Sequence, residues 1–224
     1  ESLGLTSLSV LARGAQAAFR IGRVPLAQSG VDLAAVEAQM SSLGDRRGRA
    51  SALANQADVA AWEGDFPRAE ALLDQAHGIA VTCELVTLQR DLQILRGELD
   101  ERAGRWEDAA LHLTAGLRDA SAQSSPLAQA RALSGLGRVR TEQGLALLAE
   151  HAIEQAEAIW RRFPAPAPLA DLGLARALLL RDEDPVRARA LAEESKRTFE
   201  GLGDWLHASR AEAVLARLRR TPTK

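Results

Sequence analysis

The residues of this chain that could do chemistry are few and scattered. Its four histidines, His77, His112, His151 and His207, lie far apart with no HExxH pair, and the single cysteine, Cys83, has no histidine at ligand spacing. A tetrahedral zinc site needs ligands brought together by short, fixed spacings, so no metal is expected. Cys83 falls at a helix join, where the reading is an inert, half-buried thiol. Gly135-Leu136-Gly137 follows a helical run rather than a strand and lacks a third glycine, so it reads as close packing and not as a dinucleotide loop. Asp182-Glu183-Asp184 is accounted for by helix capping. No Ser-His-Asp or paired-carboxylate set can be placed, and the expectation is a non-enzyme without cofactor. What remains is the chemistry of recognition: carboxylates at Asp58, Asp91, Glu98 and Glu101, guanidiniums at Arg131, Arg138, Arg176, Arg210 and Arg217, and an indole at Trp62.

These residues must be held by a repeat. A Gly-X-apolar-X-X-Ala motif recurs at Gly22–Ala27, Gly64–Ala69, Gly104–Ala109 and Gly144–Ala149, and again without its glycine at Asp184–Ala188. The glycines return at a nearly constant interval, and periods of this size mark solenoids built from stacked helical hairpins. Around the second copy, Leu53, Ala57, Ala60 and Ala61 keep helical spacing before Gly64, and Ala69, Leu72, Leu73 and Ala76 keep it after. The glycine ends one helix in the left-handed region, Asp65 caps the next, and Pro67 suits its first turn; Asp184 and Pro185 repeat that arrangement. Small residues at Ala15, Ala57, Gly97 and Gly137, and at Ala27, Ala69, Ala109, Ala149 and Ala188, let helices approach. Val31, Leu73, Leu113 and Ile153, one helical turn after most of those alanines, fill the layer between helices. Two connectors, Ser42–Asp45 and Gly201–Asp204, read as helix end, left-handed glycine and N-cap. Phe163–Pro168 reads as a stiff, non-helical connector at which the stack changes direction. The expected organisation is one all-α, right-handed solenoid over 1–224, with hairpins at 5–43, 45–82, 84–121, 126–163 and 168–202 and a closing helix at 205–220.

In Ala57…Gly64-Asp65-Phe66…Ala69 and Gly97…Gly104-Arg105-Trp106…Ala109 the chain resembles the tetratricopeptide repeat family, in a long-period form similar to repeats attached to bacterial signalling kinases and transcriptional regulators. It departs from that family in a period near 40 rather than 34, in the replacement of the first helix's Trp and Tyr by Leu or Ala, and in the missing closing Pro. The resemblance assigns ligand binding to a concave face formed by the first helix of each hairpin. Equivalent positions there carry Gln16, Asp58, Glu98, Arg138, Arg176 and Arg217, and a second row carries Ser9, Ser51, Asp91, Arg131 and Arg210. Both rows run from acidic to basic, so a bipolar groove is expected, acidic around Asp58, Asp91, Glu98 and Glu101 and basic around Arg131, Arg138, Arg176, Arg210 and Arg217. The family's carboxylate clamp of Lys and Asn finds only Asn55 here and is not expected. Trp62 is the candidate aromatic anchor beside Asp58; Phe66 and Trp106 read as core, and Trp160 and Trp205 as seals at ends of the stack.

Composition bounds the partner. Twenty-eight Lys and Arg against 30 Asp and Glu give a net charge of -2, without the basic excess of a general nucleic-acid binder. No apolar run nears the roughly 18 residues that span a bilayer, and no signal segment opens the chain, so the expected setting is cytoplasmic. Aromatics are 4% and hydrophobics 46% of the residues, which leaves the core to Ala and Leu. The chain opens on Glu1, as a fragment of a larger bacterial signalling or regulatory protein would. The expected function is a protein- or peptide-interaction module. A ligand-sensing domain that controls an attached kinase or DNA-binding domain, and a structural self-association domain, are the other two readings.

Overall fold

A computed structural model of the chain describes Val10, Ala15, Gln16, Ala18 and residues 20–219. Within them every regular element is a helix: α1 (Leu26–Ser42), α2 (Arg46–Trp62), α3 (Phe66–Thr82), α4 (Val86–Arg102), α5 (Trp106–Ala122), α6 (Pro126–Glu142), α7 (Ala146–Trp160), α8 (Pro166–Leu179), α9 (Pro185–Gly201) and α10 (Trp205–Arg219). The chain divides into two compact units, Glu1–Arg105 and Trp106–Lys224.

In both units the first helices of successive hairpins touch one another: α2 touches α4 in the first unit, and α6 touches α8 and α8 touches α10 in the second. Within each unit the second helices, α1 and α3 or α5, α7 and α9, pack on first helices and not on each other. Each unit therefore has a layer of first helices backed by a layer of second helices, the arrangement of a helical-hairpin solenoid. Alanine makes the spacing small. Ala57, Ala60, Ala69, Ala76 and Ala80 are fully enclosed with Leu73 and Leu99 in the first unit's core, and Ala149, Ala152, Ala156, Ala177 and Ala192 play the same part in the second. At Gly137 an added Cβ would lie 2.8 Å from the Ile153 side chain, so only glycine allows α6 and α7 to approach as they do.

The connectors follow local chemistry. Gly64, Gly104 and Gly144 have φ of 82°, 75° and 72°. Asp45, Asp65 and Asp184 accept backbone N–H bonds from Gly48, Arg68 and Arg187, satisfying first-turn donors. Asp204 likewise accepts from the His207 N–H.

Three expectations need correction. The first motif copy is out of step with the others. Helix α1 begins at Leu26, well after Gly22, whereas α3 begins at Phe66, immediately beyond the Gly64-Asp65 turn; Ser29 and Leu33 therefore take the buried places, and Ala27 and Val31 face solvent, as does Ala15. Residues 166–168 are not connector. Pro166 opens α8 and Pro168 lies in its first turn, where a fixed φ fits the helix and the missing N–H would have had no partner. Trp205 does not seal anything: it is 62% exposed. Trp160 is not at an end of the stack: on α7, the middle second helix of its unit, it packs against the core with its indole N–H donated to Ser134 Oγ at 3.0 Å.

Candidate functional site

In the first unit the partly exposed side chains of α2 recur at Ser51, Asn55, Asp58 and Trp62, one stripe at helical spacing, met by Arg102 from α4. Arg102, which the charge rows did not include, joins the two helices. Its Nη1 donates to Asp58 Oδ1 at 2.6 Å, and its guanidinium lies over the Trp62 ring at 4.4 Å from the centroid. A cation stacked on an indole and paired with a carboxylate holds all three groups in fixed directions while leaving them half-exposed. The rest of the acidic set is differently placed, with Asp91 more exposed than Asp58 and Glu101 less so. Asp91 accepts from Arg90 at 2.7 Å, Glu101 is buried, and Glu98 is half-buried. Asp100, also buried, is held by Arg105 at 2.6 Å, and the same guanidinium reaches Glu70 on α3 at 2.7 Å; the bond to Asp100 raises the Arg105 pKa and fixes this as a structural trio.

In the second unit the arginines are present but already matched. Arg138 on α6 donates to Asp171 on α8 at 2.5 Å, and Arg210 on α10 donates to the other oxygen of the same carboxylate at 3.0 Å. Burial by itself would push the Asp171 carboxyl up, but Arg138, Arg210 and His207 outweigh it and hold the pKa at about 2. Arg217 on α10 reaches past α8 to Glu142 at the end of α6, with bonds of 2.6 and 3.0 Å. Arg131 is half-buried on α6.

Arg176 stands apart. It turns to the second-helix layer, bonding Glu150 at 2.8 Å and Glu157 at 2.5 Å, both on α7. Ala130, Ala132 and Gly137 of α6 and Ala170, Leu172 and Ala177 of α8 are buried alike at one constant offset, which makes Leu178 the counterpart of Arg138. The same offset makes Asp171 the counterpart of Asp91 and Arg131, a regularity that would have exposed it. Gln16 is exposed, and Ser9 lies outside the described residues. Among the described residues no group of three His, Cys, Asp or Glu is placed to hold a metal ion, and no helix is long and apolar enough to cross a membrane.

No protein-family model matches the chain, and no curated protein does. Among solved structures, a Rap protein complexed with Competence and Sporulation Factor is similar over 90% of this chain and 60% of its own length, with a TM-score of 0.65 and 13% identity. BtubC (BKLC) from P. vanneervenii is similar over 100% of this chain and 95% of its own, with a TM-score of 0.53 and 18% identity. The fold is a helical-hairpin repeat. Identities this low carry the fold alone, and the chain spans 60% of the length of the Rap protein it matches.

Proposed function

We propose that this chain is a tetratricopeptide-like, non-catalytic module that binds a protein or peptide on its layer of first helices, within a bacterial signalling or regulatory protein in the cytoplasm. The observation that carries the reading is the Trp62–Arg102–Asp58 cluster, in which adjacent first helices present an aromatic face, a cation and an anion in fixed, partly solvated positions. Such preorganised groups cost little ordering entropy on binding and give an extended chain both an anchor and a charge register. The likeness to a Rap protein solved with a bound factor supports a binding role for this fold. The second unit, taken by itself, offers Arg138, Arg210 and Arg217, whose ion pairs a partner's carboxylates would have to exchange, and the half-buried Arg131 of α6. Arg176, directed at α7, is not part of that surface.

The test is selection of peptides from a displayed random library on the chain, followed by affinity measurement on variants. Trp62→Ala should weaken the selected peptides about tenfold or more, the loss expected for an aromatic anchor. Val186→Ser, on the solvent side of α9, should leave affinity unchanged. Equal affinities for Trp62→Ala and the unmodified chain would remove this site.

A sensing role is the second reading. It is favoured by the Arg217–Glu142 pair, which ties α10 to α6 across α8: a ligand that takes either partner would release that tie and shift the spacing of the first helices.

A further inference from the structure

We propose that a cleft between α2 and α3, away from the surface described above, is a binding site for a small organic anion. The cleft has a volume of about 450 Å³ and is lined by Arg46, Arg49, Gln75, Gly78, Ile79, Thr82 and Cys83, within the range of small-molecule sites. Two guanidiniums and no carboxylate line it. Arg46 and Arg49 lie one turn apart on the same face of α2. Arg49 spends its Nε on Glu37 at 2.7 Å, which leaves its terminal nitrogens available, and Arg46 has no carboxylate within ion-pair distance among the described residues, its contact being Cys83 Sγ at 3.9 Å. Arg46 differs in this from Arg102, Arg138, Arg210 and Arg217, each of which is neutralised by a carboxylate of the chain itself.

Gly78 supplies the second argument. It sits in the interior of α3, where glycine disfavours a helix relative to alanine, yet its φ is not positive and a Cβ there would meet nothing within 4 Å. Neither backbone conformation nor helix packing calls for glycine at this position, in contrast to Gly137. What its bareness does is keep one wall of the cleft open for close approach of a ligand. The Gln75 amide adds a donor, the Thr82 hydroxyl is turned to the Gly78 carbonyl at 2.8 Å, and Ile79 offers an apolar surface. The ligand class is therefore an anion on a compact apolar body, with a phosphate or a carboxylate as its head.

Cys83, the only cysteine of the sequence, reports on the cleft directly. The rate of its alkylation by iodoacetamide is measured with phenyl phosphate, with benzoate and with neutral phenol, each up to about 10 mM, a range that reads dissociation constants down to weak millimolar binding. Saturable slowing by phenyl phosphate, by benzoate or by both, but not by phenol, is expected, and the pair of anions tells phosphate from carboxylate recognition. Within each variant the ratio of rates with and without the anion is compared. Arg46→Gln should weaken protection roughly tenfold, the loss of one charge-assisted contact. Gly78→Leu, which suits a helix and fills the cleft, should abolish protection and leave the circular dichroism unchanged. No protection by either anion, protection by phenol equal to that by the anions, or undiminished protection in Arg46→Gln would overturn the proposal.

Discussion

Asp171 is buried between two guanidiniums from neighbouring helices, Arg138 of α6 and Arg210 of α10, and a carboxylate so placed is stable only while both remain. Removing it leaves two poorly solvated cations facing each other. Asp171→Ala should therefore cost about 3–5 kcal/mol of unfolding free energy in urea titration, the range for breaking a buried pair from one side. The pH dependence has a definite sign. The folded pKa lies at about 2, below the ordinary 3.8, so the carboxylate contributes its full stabilisation above that ordinary value and loses it as pH falls through 3.8 towards 2. The difference in stability between the unmodified chain and Asp171→Asn should shrink by about 2 kcal/mol between pH 5 and pH 2. A difference constant with pH would mean that Asp171 is not ionised as described. At this scale the sequence was only partly legible. Charge type and row could be read for Asp58, Arg138, Arg210 and Arg217, because a repeat of nearly constant length places equivalent residues on one face. Arg102 escaped because pairing depends on which side chains meet across helices, and sequence periodicity does not encode that; Asp171 escaped because the row that should carry it, through Asp91 and Arg131, was not continued into α8. Arg176 was misassigned by a slip in register, and a slip of that kind on a helix turns a side chain from one neighbour to another.

The elements obey a shorter rhythm than the hairpin. From α1 to α6 the helices are equal in length and start at even intervals, at Leu26, Arg46, Phe66, Val86, Trp106 and Pro126, and the left-handed residue of each connector falls at Gly44, Gly64, Glu84, Gly104, Ser124 and Gly144. Half of this was visible from the glycine motif. The alternate connectors were harder, since Glu84 (φ 52°) and Ser124 (φ 50°) carry out with a side chain what glycine does elsewhere. An L-residue pays for the left-handed region with a clash between its Cβ and a carbonyl, so Glu84→Gly and Ser124→Gly should each stabilise the chain by about 0.5–1 kcal/mol, after allowance for glycine's greater freedom when unfolded. Thermal unfolding of the two variants checks this; a lower midpoint in both would show that the connectors are not strained. The helices shorten at α7 and α8, with Arg161–Ala165 between them, although their starts at Ala146 and Pro166 keep the even interval, which first shortens at Pro185. There proline misled the reading: it is a breaker in a helix interior but a good opening residue, and only the backbone shows which role Pro166 takes.

For the whole molecule, balanced charge conceals local order. The net charge is only -2, yet each unit has its own layer of first helices, which presents carboxylates with a stacked indole in the first unit and arginines shared with internal carboxylates in the second. All-α class and repeat architecture were legible from motif spacing and Ala-Leu composition, which act on every hairpin alike. A single cluster such as Trp62–Arg102–Asp58 occurs once and leaves no periodic trace, which is why Trp62 and Asp58 were found and Arg102 was missed. Binding through that layer predicts that partner contact is confined to first helices. The most direct measurement is amide hydrogen exchange with and without a library-selected peptide. The account predicts slowed exchange in α2 and α4, centred on the turns carrying Asp58, Trp62 and Arg102, with α1 and α3 unchanged. Slowing confined to the second helices, with α2 and α4 untouched, would contradict it.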